Sequence, residues 1–256
     1  MKMLFYPHLP KSYSKITAVC RNLNISIGDL PCNHDTDHFS LAMHWDNNTN
    51  CPADDVLRAV SGRLKVINLE VADVSKSNVD KVFRDVFGYS TLIDPFQSFG
   101  FAIRKSERQA AHDATIIPLP YKQEPGFIYQ RILDSRCQPS LCHDIRLPVF
   151  KNEIPFGFLK YRLIADPIRS LYSVEFIEDI QTILSPGEIG NVLMFAKRFG
   201  LEFGEIDLIR NNSDGRIYIL DVNNMAGNAM FKYMKSTTVT KIQSLYVDIF
   251  QSKFIL

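Results

Sequence analysis

Two carboxylates and a carboxamide in the last quarter of the chain raise the first chemical question. The stretch EFGEIDLIRNNSDGRIYILDVNN, residues 202–224, holds two apolar segments around the turn NNSDG. Asp214-Gly215 supplies the positive φ of a tight turn, so strands are predicted over 201–209 and 216–222. Side chains alternate between faces along a strand. Asp221 and Asn223 therefore share a face, and Asp207, 14 residues before Asp221, can sit across from them, with Glu205 on its own face. These oxygens are hard donors and suit Mg²⁺, which takes a few protein oxygens and fills its octahedron with water and phosphate. A solvated edge hairpin carries similar residues. The place of Asp221 at the end of an apolar strand favours the metal, because an unpaired carboxylate is costly there.

The charge pattern agrees with an anion held through a cation. Residues 104–170 hold 11 basic and 7 acidic residues, whereas residues 171–223 hold 4 and 9. Such asymmetry is also common on solvated surfaces. Over all 256 residues the formal charge is +1, which gives no global reason to expect a nucleic-acid or membrane-surface partner. Apolar residues make up 46% and charged residues 22%, so disordered and collagen-like classes are excluded. No apolar run approaches the ~20 residues that span a bilayer, and MKMLFYPHLP lacks the features of a signal peptide. Five cysteines at scattered spacings, with Cys137, Cys142 and His143 only a loose cluster, fit a reduced cytoplasmic protein better than a zinc site. His34, His38 and His44 among Asp35, Asp37 and Asp46 read as loop residues.

Several elements must position this hairpin. Strands are predicted at 2–6, 41–45, 66–69, 101–103 and 127–133, and a hairpin at 145–150 and 155–164 around the turn KNE. Ser77 and Asp80 have capping-box spacing before Val79, Val82, Phe83 and Val86, with Gly88 past the end. The clearest helix starts at Ser185 as N-cap, with Pro186 first and Glu188 third, and ends before Gly200. Residues 118–126, with three prolines, are a loop, and 238–251 form a mixed amphipathic segment.

GEIDLI and DGRIYILDVNNMAG together resemble the C-terminal metal-binding hairpin of the ATP-grasp superfamily, nearest in pattern to ribosomal-protein glutamate ligase-like and D-alanine–D-alanine ligase-like members. NLEVADVSKSNVDKVFRDVFGYSTLIDP, FAIRK, FIYQRIL and HDIRLPVF are similar to further segments of that family, in the same order. The resemblance implies an α/β fold of two interlocked lobes that clasp a nucleotide, preceded by a short N-terminal α/β lobe. The implied boundaries are 1–95 for the N-terminal lobe and 96–256 for the ATP-grasp region, divided into a central lid lobe at about 100–135 and a metal-binding lobe at about 136–256.

The same resemblance implies roles. Asp207, Asp221 and Asn223 become the ligands of Mg²⁺, or of Mn²⁺ in its place. Lys105 becomes the α/β-phosphate lysine, unless Arg104 takes that register. Lys160 and Arg162, on one face, become neutralisers of the triphosphate, unless they are an exposed basic pair. Arg146 becomes a clamp on phosphate or substrate carboxylate, or else the partner of Asp144, and Gln130, Arg131, Ile132 and Leu133 border adenine. Two departures from the pattern stand out. The loop SERQAAHDAT has no glycine, so any cover over phosphate must use Arg108, Gln109 or His112 or work differently, and Glu205 stands where many peptide-forming relatives have Arg. The implied activity is an ATP-dependent carboxylate–amine ligase that works through an acyl phosphate, on small-molecule carboxylate and amine substrates, with the oligomeric state open to a homodimer. A small-molecule kinase of the same fold and a nucleotide-binding protein without turnover are the alternatives.

Overall fold

The computed structural model describes residues 1–30, 36–108, 111, 113–166 and 171–256. His34 and Asp35, read as loop residues, and Gln109 and His112, read as phosphate-cover residues, lie outside the described residues.

The first elements are β1 (Lys2–Pro7), α1 (Lys15–Asn22), β2 (Ser26–Gly28), β3 (Leu41–Trp45), α2 (Asp55–Ser61) and β4 (Val66–Ile67). The strands pair in parallel in the order β2-β1-β3-β4. Both faces of β1 and β3 are covered, which explains why LAMHW reads as an apolar run rather than an alternation. Leu4 and Ala42 pack with Leu57 and Val60 of α2, whereas Met3, Phe5 and Met43 pack with Ile16 and Val19 of α1. His44 is thus a buried strand residue and not a loop residue; its Nδ1 bonds the Asn68 carbonyl at 3.3 Å.

Helix α3 (Lys76–Phe87) follows. Its cap is Ser75, two residues earlier than the spacing suggested: the Ser75 hydroxyl accepts from the Asn78 N–H. Asp80 instead turns inward and accepts from Thr91 and Ser90. Ser75→Ala should lower the unfolding free energy by about 1 kcal/mol. Ser77→Ala, which leaves the cap intact, should change it by under about 0.5 kcal/mol in the same urea titration.

A second, antiparallel sheet is ordered β6-β5-β7, from β5 (Gly100–Ser106), β6 (Thr115–Leu119) and β7 (Phe127–Arg131). A third contains β8 (Arg136–Gln138), β9 (Leu141–Phe150), β10 (Gly157–Leu163), β11 (Ser173–Ile177), β12 (Phe203–Arg210) and β13 (Ile217–Asn223). Its order is β11-β10-β9-β12-β13, with β8 beside β9. Helix α4 (Pro186–Phe199) has the full capping box of Ser185 and Glu188 and ends at Gly200 with φ +79. Its stripe of Val192, Phe195, Ala196 and Phe199 covers one face of the third sheet with α3. Helix α5 (Ser236–Phe250) and α1 cover part of the other face, where Phe150, Phe156, Phe158 and Phe203 join the core of the parallel sheet. Each such buried ring contributes about 1.5–3 kcal/mol.

Asn68 joins the first and third sheets. It is buried at φ +61, its amide donates to the Phe203 carbonyl at 2.7 Å, and its Oδ1 accepts from the N–H groups of Glu202 and Phe203 at 2.9 Å each. Not every aromatic enters the core, since Phe96, Phe99 and Phe101 are exposed.

Candidate active site

Alternation along the third sheet sorts its side chains. β9 sends Ile145, Leu147 and Val149 towards α4, and β12 and β13 send Ile206, Leu208 and Val222 the same way. The opposite face is left to Asp144 and Arg146, Glu205 and Asp207, and Asp221 and Asn223. Strand register then lines them up. Asp221, Asp207 and Arg146 are direct cross-strand partners in one row, and Asn223 stands opposite Glu205 in the next. A bulge after Asp207 passes over Leu220, so β13 reaches Asp221 with the pairing restored.

Arg146 is the hub of this face. It holds Asp207 with both ends of its fork, Nε to Oδ1 at 2.8 Å and Nη2 to Oδ2 at 2.6 Å, and its Nη1 reaches Glu205 Oε2 at 3.2 Å. Lys160 adds a bond to Asp207 Oδ1 at 2.9 Å. Burial alone would raise the Asp207 pKa, but Arg146 and Lys160 hold it far below the usual carboxylate range. Arg146 does not pair with Asp144, the partner its D-x-R spacing offered. Asp144 pairs with Lys160 at 3.3 Å and with Arg162 Nε at 2.9 Å, because those residues lie across β10 from it.

Glu205 is buried and ionised. Lys15 of α1 pairs with its Oε1, and the Tyr246 hydroxyl of α5 donates to the same oxygen at 2.9 Å. Burial works against the carboxylate, but Lys15 and Arg146 keep its pKa below normal. Sequence reasoning missed Lys15 and Tyr246. The signal for Lys15 was present: it leads KITAVC on the same helical side as Val19, a buried position.

Asp221 is different. No described side chain donates to it, and burial together with Asp207 across the ladder raises its pKa. Asn223 Oδ1 accepts from the Met225 N–H at 3.2 Å. Facing them is Lys105 of β5. Burial lowers its pKa to about 8, opposed chiefly by the attraction of Asp221. Its neighbour Arg104 points to the other side of the second sheet. There it pairs with Glu124 and stacks 3.4 Å from the Phe127 ring centroid.

The structure therefore brings Lys105, Arg146, Lys160, Asp207, Asp221 and Asn223 to one place, with Arg162 a step outward on Asp144. The strand β7 lies beside β5, but its side chains have other partners. Gln130 is buried and donates to Thr91 Oγ1 at 3.1 Å, and Arg131 lies 5.7 Å from the Tyr218 ring centroid. Ile132 is exposed, and Leu133 rests on the α4 core. The glycine-free turn after β5 is tied to the start of α3. Glu107 accepts from the Ser77 N–H at 3.1 Å, and Lys76 donates to the Arg108 carbonyl at 2.8 Å. Among the described residues, no three His, Cys, Asp or Glu side chains gather as a metal site. No helix among them is long and apolar enough to cross a membrane.

No family model and no curated protein matches the sequence. Solved structures do match the fold along nearly the whole chain. The ATP-grasp ligase PsnB, complexed with a phosphomimetic variant of its minimal precursor, Mg and ADP, superposes with a TM-score of 0.62 at 13% identity, over 97% of each chain. The D-alanine–D-alanine ligase from Bacillus anthracis, complexed with ATP, gives 0.57 at 12% identity, over 98% of this chain and 95% of that one. The chain has the ATP-grasp fold. The macrocyclase MdnC from Microcystis aeruginosa MRC, bound with precursor peptide MdnA, also superposes, with a TM-score of 0.54 at 15% identity, over 97% of this chain and 100% of that one.

Proposed function

We propose that this protein is an ATP-dependent carboxylate–amine ligase. The carrying observation is that Lys105 of the second sheet lies within reach of the Asp221 and Asp207 charges on the third, with Arg146 and Lys160 bonded to the same Asp207. On this reading residues 1–95 are an N-terminal lobe and residues 96–256 the ATP-grasp region, with a lid lobe at about 100–135 and the metal-binding lobe at about 136–256.

The donor set fits a hard divalent cation. Burial and then the Asp207 carboxylate across the ladder push the Asp221 pKa up, and a cation between the two carboxylates would offset both. Asp221, Asp207 and Asn223 would hold Mg²⁺, or Mn²⁺. Bound there, the ion supplies charge neutralisation on the polyphosphate. Lys105 would bind the α- or β-phosphate, and β7 with residues 132–133 would border adenine through backbone groups. Asp207 already has both oxygens on Arg146 and Lys160, so those two cations are carried into the phosphate field along with the metal ligand. Their work is to offset charge as the γ-phosphoryl group passes to a carboxylate oxygen, giving an acyl phosphate that an amine then attacks. The carboxylate belongs to a small molecule or a peptide, the latter in keeping with the peptide-bound neighbours. A second reading, nucleotide binding without turnover, draws on the buried anion Glu205 beside Arg146.

Mg·ATP should raise the melting temperature by mass action, and EDTA should remove most of the rise. Lys105→Met should weaken Mg·ATP binding about 10- to 150-fold in calorimetry, the loss of one charge-assisted hydrogen bond of roughly 1.5–3 kcal/mol. Arg104→Met should do far less, since it faces Glu124. Wild-type affinity should be flat below the Lys105 pKa of about 8 and fall above it, as binding then requires protonation. No melting shift at millimolar Mg·ATP would overturn the reading. ADP release that needs both a carboxylate and an amine separates a ligase from a kinase and from an inactive binder.

A further inference from the structure

A cavity of about 1040 Å³ opens between α4, the end of β4 and the turn from β9 to β10. It lies on the α4 side of the third sheet, away from the Arg146 and Asp207 face, and its size is that of a small-molecule site. Its floor is apolar and contiguous: Val66, Leu69, Leu193, Met194 and Leu201 line it. Met194, on the outward side of α4, is 46% exposed. Continuous apolar surface of this kind calls for an occupant.

The rim says what kind. Lys151, Lys197 and Arg198 stand around it, and Lys65 directly precedes the lining residue Val66. The ammonium groups of Lys65 and Lys151 both hang over the Phe254 ring, 5.1 and 5.2 Å from its centroid. Two cations held over one ring repel each other; burial and then Lys151 lower the Lys65 pKa to about 8, against the pull of Glu202. Two carboxylates share the walls. Glu202 already accepts from the Asn68 N–H at 3.1 Å, and Glu70 is exposed. Neither Lys65 nor Lys151 forms a salt bridge with a described residue. An anion between them would relieve their repulsion, and Lys151 itself lines the cavity, which joins the pair to the apolar floor.

We propose that this cavity binds a small amphiphilic anion. Its apolar body lies along α4 on Leu193 and Met194, and its single carboxylate or phosphate sits between Lys65 and Lys151. This proposal stands apart from the nucleotide site and does not depend on it.

The test titrates the full chain with decanoate, decyl phosphate and decyltrimethylammonium, each below its micellar concentration. Both anions should bind saturably at one per chain and the cation should not; whichever anion binds more tightly identifies the head group. Lys65→Gln combined with Lys151→Gln removes both charge-assisted contacts and should weaken binding about 100-fold or more, each single substitution about tenfold. Met194→Glu should weaken it similarly by placing a carboxylate on the floor. Unliganded melting temperatures of the variants control for the fold. Absence of saturable binding, equal binding of the cation, or indifference to both sets of substitutions would overturn the proposal. So would sedimentation in which Met194→Glu splits a dimer, since the face would then be an interface between copies.

Discussion

Asp221→Asn should abolish ATP-dependent turnover and leave the fold at least as stable as before. The substitution keeps the volume and removes one anionic oxygen from the Asp207, Asp221 and Asn223 set. It also removes a charge that the folded chain holds at a cost, since burial and Asp207 raise the Asp221 pKa above its ordinary 3.8. A raised carboxylate destabilises the fold only while it is ionised. Its cost is therefore fully present above the folded pKa and fades as pH falls through that value towards 3.8. Without Mg²⁺, the variant should be the more stable protein at neutral pH, with the difference closing on acidification in paired urea titrations. Turnover follows the opposite logic, because the same anion is what a divalent cation would require. A variant that releases ADP at the wild-type rate under limiting Mg²⁺ would remove Asp221 from the ligand set.

The hairpin that carries Asp221 was legible in the sequence because its signals are local. Asp214-Gly215 marks the turn, and strand alternation puts Asp221 with Asn223 and Asp207 with Glu205; the bulge at Leu220, which no local signal announces, is what sets Asp207 opposite Asp221 and Glu205 opposite Asn223. The same holds for α4, whose cap, first-turn proline and terminal glycine lie within a few residues of one another. The strand order in FAIRK was also readable, and Lys105 and Arg104 do face opposite ways. What escaped was set by distance along the chain. Glu205 is paired with Lys15, 190 residues away, and accepts a hydrogen bond from Tyr246, 41 residues on. Strand β11 is short and gains its order from pairing with β10, which no local pattern announces, whereas helix α2 has a local signal in its Asp54 cap that went unread. Arg146 shows the limit most clearly. Its spacing to Asp144 suggested a local pair, whereas register places it beside Asp207 on the next strand.

Arg146→Met should lower the unfolding free energy by roughly 3–5 kcal/mol, the expected penalty for removing one partner from a buried charge network. The reason lies in the geometry. Arg146 makes three hydrogen bonds to two carboxylates, bidentate to Asp207 and single to Glu205. Its loss leaves Asp207 with Lys160 alone and Glu205 with Lys15 and Tyr246. Arg146→Lys keeps the charge but not the fork, so it should recover only part of the loss. Arg162→Met should cost less, because the Asp144 carboxylate it holds keeps Lys160 at 3.3 Å. The pH dependence gives an independent check. In the wild type, Asp207 and Glu205 have lowered pKa values. Their contribution is therefore full above the ordinary carboxylate range and lost as pH falls through the folded values. Without Arg146 that contribution shrinks, so the gap between wild type and Arg146→Met should be widest at neutral pH and narrow as pH falls below about 4. Urea titrations across that range, with unchanged slope, measure it. A gap under about 1 kcal/mol at neutral pH would mean that Lys15 and Lys160 suffice to hold the two carboxylates, and that Arg146 is retained for the chemistry rather than for the fold.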